Sequence, residues 1–302
     1  MSVTRIAGIT GAMTVALAGL TASDTNAQPR LGWGFETSGL LAVQGDADLS
    51  GGGDVSATRA ALRFGGLYTF ENGAAAGVSL QLGNHGYDFG GGAVPLWGDV
   101  RDIGISAPIR FSVGSSAQVL LAPSVRWSYE NGASTSDAVT YGVFGGVSWQ
   151  VSDGLRIGPA FGAFTELEGS DINLFPALIV DWQITDRVSL ETGAGIGATQ
   201  GPGVRLSYAY SDAVDLSLGV RYENTEFRLD NTGLAPGGLG QDSSIPVVLA
   251  LDYNPNPGVS LSAFVGAAFE GELTLENALG ATVAKQSYDT APVAGLSFRL
   301  RF

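Results

Sequence analysis

The chain has 302 residues, of which 45 are Gly, 15 are Lys or Arg, 29 are Asp or Glu and none is Cys, giving a formal net charge of −14. Glycine is about twice its ordinary usage, but without a Gly-X-Y period and with only 12 prolines this is neither collagen nor a disordered low-complexity chain. The missing cysteines exclude a disulfide scaffold, thiolate zinc and iron–sulfur ligation, the acidic balance argues against nucleic acid as a partner, and a mean hydropathy of +0.20 coexists with no apolar run of about 20 residues beyond the first 27.

Residues 1–27 read as a secretory signal peptide. Arg5 supplies the positive n-region, residues 6–20 the apolar stretch, and Thr25-Asn26-Ala27 a small and polar site for cleavage before Gln28. The expected mature chain is then a single exported domain, residues 28–302. From about residue 33 onward the hydrophobic period is two, the signature of strands. In residues 118–130 one face carries Val119, Leu121, Pro123, Val125, Trp127 and Tyr129, and the other Gln118, Leu120, Ala122, Ser124, Arg126, Ser128 and Glu130. Residues 188–199 set Val188, Leu190, Ala194 and Ile196 against Ser189, Glu191, Gly193 and Gly195. Residues 214–223 set Val214, Leu216, Leu218, Val220 and Tyr222 against Asp215, Ser217, Gly219, Arg221 and Glu223.

Short polar turns fall at residues 71–73, 114–116, 152–154, 185–187, 211–213 and 254–258. Between them lie mostly longer segments rich in Gly, Asp, Ser and Asn at 44–56, 88–99, 130–138, 168–172, 199–203, 229–243 and 271–290. Short turns that pair strands, with one strand at each end, predict an all-β transmembrane antiparallel up-and-down β-barrel of about 14 strands. Twelve or sixteen are the alternatives, because 199–203 is short and 271–290 has room for extra pairing. Strands of roughly 10–13 residues suit a membrane barrel better than a soluble sandwich, whose strands run about 5–6. Closure also satisfies every strand edge, which a bilayer demands. Phe70, Trp149, Trp182, Tyr210 and Tyr253 each lie one to four residues before a short turn and Trp33 near the start of the first strand, with Trp127, Tyr129, Tyr141, Tyr222 and Phe269 at the other strand ends. Two such levels are where amphipathic rings meet headgroups.

The last residues alternate Ala294, Leu296, Phe298, Leu300 and Phe302 with Gly295, Ser297, Arg299 and Arg301. This resembles the terminal strand of Gram-negative outer-membrane β-barrel proteins, porin-like in type. The resemblance implies an outer-membrane location among outer-membrane lipids, and recognition by the barrel-assembly machinery with Phe298, Leu300 and Phe302 as the assembly signal.

With the apolar face toward lipid, the lumen set comprises Arg59, Arg63, Arg110, Arg126, Arg156, Arg205, Arg221, Arg299 and Arg301. Its acids are Glu36, Asp102, Glu130, Glu166, Glu168, Asp181, Glu191, Asp215, Glu223, Asp252 and Glu270. The functional reading is a narrow passive channel for small hydrophilic solutes, with Arg59, Arg63, Arg110, Arg126, Glu166, Glu191, Arg205 and Arg221 as candidate pore-lining residues. The opposing view is that arginines and acids satisfy each other across a filled interior. Acids in the long segments (Asp46, Asp48, Asp54, Asp88, Asp99, Asp137, Asp171, Asp230, Asp242, Glu276 and Asp289, against Arg101, Arg228 and Lys285) suggest the alternative of a structural or surface-interaction protein without transport. Residues 46–54 lack the spacing of a calcium loop. The only histidine, His85, reads as a surface-loop residue with no Ser within the next five positions, so an enzyme is not expected, nor a cofactor or metal.

Overall fold

A computed structural model describes residues 31–167, 171–193 and 202–302. Within them are β1 (Gly32–Asp48), β2 (Asp54–Thr69), β3 (Ala75–Gly90), β4 (Val100–Ser106), β5 (Ile109–Val113), β6 (Ala117–Glu130), β7 (Val139–Ser152), β8 (Leu155–Thr165) and β9 (Ile172–Thr185). There follow β10 (Val188–Thr192), β11 (Gly203–Ser211), β12 (Val214–Arg221), β13 (Glu223–Arg228), β14 (Leu239–Asn256), β15 (Val259–Glu276), β16 (Thr282–Tyr288) and β17 (Ala291–Arg301). The segments form one sheet in which neighbours in sequence are neighbours in space, and β1 closes on β17 from Glu36↔Arg301 to Gln44↔Val293. Three staves are split in two (β4/β5, β12/β13 and β16/β17), so the closed antiparallel barrel has 14 staves, as the turn spacing predicts. The segment expected to be a signal peptide, residues 1–27, lies outside the described residues, as do Glu168, Ala194, Gly195 and Ile196.

The alternation decides which face is which. Leu41, Leu82, Leu218, Leu249, Val265 and Leu296 are exposed on the outer wall, whereas Ala42, Ala122, Ala160 and Ala250 are buried inside. Trp33, Tyr68, Phe70, Trp149, Trp182, Tyr210 and Tyr253 are exposed near the short turns, and Tyr141, Tyr222 and Phe269 toward the other end. The tight turns use local chemistry. In the β2–β3 turn the Ala74 N–H donates to Asn72 Oδ1 at 3.0 Å, and Gly73 takes φ 78°, a left-handed conformation that costs glycine nothing. The β4/β5 break falls at Ala107-Pro108, where proline cannot donate to the ladder.

Two predicted connections are shorter than the composition implied. β1 runs to Asp48 and β2 starts at Asp54, so Asp46, Asp48 and Asp54 belong to strands and only residues 49–53 connect them. Among the described residues no group of His, Cys, Asp or Glu is placed to hold a metal ion. The 271–290 segment does pair: β15 continues to Glu276 and β16 packs on it from Gly271↔Tyr288 to Glu276↔Thr282. Polar and glycine-rich composition marked these as loops, but a strand extending beyond the bilayer needs no apolar face.

Candidate functional site

The interior divides into two halves. The half nearer the short turns carries charge that is partly exposed around Glu36, Arg299 and Arg301 and buried at Asp252. On β17, β1, β2 and β5 stand Arg299, Arg301, Glu36, Arg63 and Arg110. On β8 to β14 stand Arg156, Asp181, Glu191, Arg205, Asp215 and Asp252. Arg301 Nε donates to Glu36 Oε2 at 3.1 Å, and Arg299 Nε lies 3.8 Å from Glu36 Oε1. Arg63 Nη2 donates to Gln81 Oε1 at 2.7 Å. On the opposite wall Arg205 Nη2 and Ser217 Oγ each donate to Asp252 Oδ2 at 2.5 Å, and Asn254 Nδ2 donates to Asp215 at 2.9 Å. Arg205 and Asp181 are both register partners of Glu191. Among these lumen-facing residues the first arc holds four arginines and one acid, and the second holds two arginines and four acids. The halves of the wall therefore bear opposite sign.

The half nearer the long connections is packed. Asp102 receives a charge-assisted bond from Arg126 Nε, and Glu223 receives one from Arg59 Nη1. Asp242 collects Arg59 Nη2 at 3.2 Å, Tyr87 Oη at 3.0 Å and Tyr288 Oη at 3.1 Å. Above this cluster Trp97 packs edge-on against Tyr87 and Phe227 with ring centroids 5.6 and 5.1 Å apart, and Leu49, Val55, Leu96, Leu229, Leu273 and Leu275 complete an apolar core inside the barrel. A second apolar patch of Leu120, Phe144, Ala160 and Phe164, backed by Phe175 and Ile179, coats the inner wall of β6–β9. Here glycine makes the room: a Cβ at Gly142 would overlap the Phe164 ring, and one at Gly162 would overlap Phe175.

Of the eight candidate pore-lining residues, Arg63, Arg110, Glu191 and Arg205 lie in the charged half. Arg59, Arg126 and Arg221 lie in the packed half, and Glu166 lines a small polar cavity there with Arg126 and Glu226. Three expectations are corrected. His85 is not a loop residue: it is buried in β3, register partner of Arg59 and on the same inner face. Asp242 and Arg228 are not loop charges either. Both are buried, because β14 begins at Leu239 and Arg228 Nε, Nη1 and Nη2 donate to the carbonyls of Asp137, Gly237 and Leu167. Glu270, assigned to the lumen by parity, is exposed at a β-bulge with φ 52°. The parity count missed it because a bulge inserts one residue.

Residues that sequence reasoning missed are Trp97, Phe227, Tyr87 and Tyr288. One signal was available. Continuing the outward parity of Leu216, Leu218, Val220 and Tyr222 gives Asn224, Glu226 and Arg228, a polar series that no lipid-facing strand sustains.

No protein-family model matches the sequence, and no curated protein matches it. Among solved structures the chain is similar to an outer membrane channel from Pseudomonas putida F1, with a TM-score of 0.50 and 10% identity over 93% of this chain and 99% of that one. It is also similar to the Pseudomonas putida toluene transporter TodX, with a TM-score of 0.46 and 9% identity over 91% of each chain. At such identity the first likeness concerns the fold, and the fold is that of an outer-membrane-type β-barrel.

Proposed function

We propose that this protein is a passive outer-membrane channel for small hydrophilic solutes, entered at the periplasmic side through the charged half of its lumen. The observation that carries the reading is the contrast between the β17–β1 arc of the charged half and the packed half. Side chains of Glu36, Arg299 and Arg301 keep 23%, 32% and 42% of their surface in solvent, whereas Asp102, Asp242 and Glu223 keep 5% or less. Fourteen strands enclose more space than the eight that side chains alone fill, and fewer than the 16–18 of wide porins. Short turns face the periplasm in bacterial barrels, which supports a periplasmic side for the charged vestibule and an outer side for the long connections. The solved channel from Pseudomonas putida F1, which shares this fold, is consistent with transport. The terminal strand supports insertion by the barrel-assembly machinery, with Phe298, Leu300 and Phe302 facing outer-membrane lipid.

The packed outer half supports a second reading, an outer-membrane protein that is structural or engages a surface partner without transporting anything. Planar-bilayer recording of refolded protein separates the two. Discrete conductance steps support the channel, whereas a silent, heat-modifiable barrel that remains silent when the packed half is loosened removes it.

A further inference from the structure

The ionic side chains of the charged half stand at one depth: each lies within six positions of the short-turn end of its strand. At about 3.3 Å per residue and a tilt of about 40°, that is a layer about 15 Å deep. Within it the arc of β17, β1, β2 and β5 nets three positive charges, and the arc of β8 to β14 nets two negative ones. The layer as a whole is nearly neutral, but its charge is separated across the pore.

Local pairing does not cancel that separation. On the acidic arc, the guanidiniums turn away from the carboxylates beside them. Arg205 is the register partner of Glu191 but pairs with Asp252. Arg156 is the register partner of Asp181 but donates from Nη2 to Gln150 Oε1 at 2.8 Å. Asp181 and Glu191, register partners of each other, are thus two half-buried carboxylates side by side on the lumen face. Like charges directly opposite on a ladder are destabilising, a cost that a positive group in the lumen relieves. On the basic arc, Arg299 and Arg301 share one carboxylate, Glu36, while Arg63 donates to the neutral Gln81. Arg63 and Arg299 are both register partners of Ser38, so they flank it from either side. Arg299 and Glu191, on opposite arcs, interact electrostatically across the lumen.

We propose that the charged half selects small zwitterions, amino acids being the simplest: the solute passes with its carboxylate toward Arg63 and Arg299 and its ammonium toward Asp181 and Glu191. A simple anion is repelled by one arc and a simple cation by the other, whereas a zwitterion is attracted at both ends in one orientation. An uncharged solute of the same size gains nothing from the separated charge. Side-chain charge lining a pore sorts solutes in this way by their own charge distribution. This names the solute class of the proposed channel and rests on that reading.

Alanine and lactamide are isomers, one a zwitterion and the other uncharged, so comparing them removes size. Swelling of proteoliposomes holding the refolded barrel, corrected for protein-free liposomes, reads the entry of each. Wild type should admit alanine at least about threefold faster than lactamide, the scale that exposed charge contacts reach. The double variants Arg63→Gln/Arg299→Gln and Asp181→Asn/Glu191→Gln each remove one pole, with folding confirmed by heat-modifiable migration. In each, the alanine-to-lactamide ratio should fall toward one. The single variants Arg63→Gln and Glu191→Gln replace a double variant that does not fold. Equal entry of the two solutes through wild type, or a ratio that either pole variant leaves unchanged, overturns the zwitterion reading and leaves the channel standing. Exclusion of both solutes by folded wild type and folded variants overturns the channel reading and this one with it.

Discussion

Two adjacent residues of β17 test the assignment of faces. Leu296 is 60% exposed on the outer wall, while Ser297 is half-buried and points inside, register partner of Ser262. Leu296 stands five residues before Arg301, the last residue of β17. At about 3.3 Å per residue and a tilt of about 40°, that is about 13 Å above the turn end, half-way up an apolar band about 25 Å tall. Leu296→Arg therefore places a charge at the midplane, where barrel measurements put the cost at about 2–4 kcal/mol. Since about 1.4 kcal/mol is a factor of ten, the folding equilibrium should fall by about 30- to 700-fold. Ser297→Arg enters a wet vestibule that already holds Arg299 and Glu36, and its cost should stay below about 1 kcal/mol, the scale of exposed charge interactions. Urea titration in liposomes reads both, with the slope as a check that the transition is unchanged. Equal destabilisation at the two positions would refute the reasoning, because it would mean a packed vestibule or reversed faces.

Three further outcomes are expected. Phe302 donates its N–H to Phe35 O at 2.9 Å and accepts from Phe35 N–H at 3.2 Å; Phe302→Asp preserves this backbone pairing, so a loss of assembled protein in outer-membrane fractions would report the side-chain signal, and normal abundance would remove it. The pore should prefer cations weakly at low salt, because acids such as Asp88, Asp99 and Asp289 surround the outer end, and the preference should fade as salt screens beyond about 10 Å at 0.1 M; a reversal potential showing anion preference would place the arginines of β17, β1 and β2 in control. Gly142→Val should destabilise the barrel by about 1–3 kcal/mol through overpacking, measured as a lower urea midpoint, since the Phe164 ring occupies the space of the new side chain; an unchanged midpoint would mean that Phe164 is free to move aside.

The wall was legible and its contents were not, for one physical reason. Lipid imposes a uniform demand, so outward positions such as Leu41, Leu82, Leu218 and Leu296 obey period two and the strand count follows from the turns. The interior imposes no such demand. Ser128 and Asp102 on the inner face are buried as deeply as Ala122 and Ala160 on the same face, and nothing in their spacing separates a wet wall from a packed one. Arg59 and Arg63 are four residues apart on one strand and read alike, yet Arg59 is locked to Glu223 and Asp242 while Arg63 meets Gln81 in the open half. Their partners lie more than 160 positions and fewer than 20 positions away respectively, and only closure of the barrel brings the first set near. Composition misled where a strand leaves the bilayer: Asp242 and Arg228 sit among Gly, Asp and Asn and resemble loop residues, but β14 already begins at Leu239, Asp242 meets Arg59, Tyr87 and Tyr288, and Arg228 donates to three carbonyls, so both are buried. Asn224, Glu226 and Arg228 continue the outward parity of β12 beyond Tyr222 in an unbroken ladder with β14, and the change from apolar to polar there marks where that stave leaves the lipid.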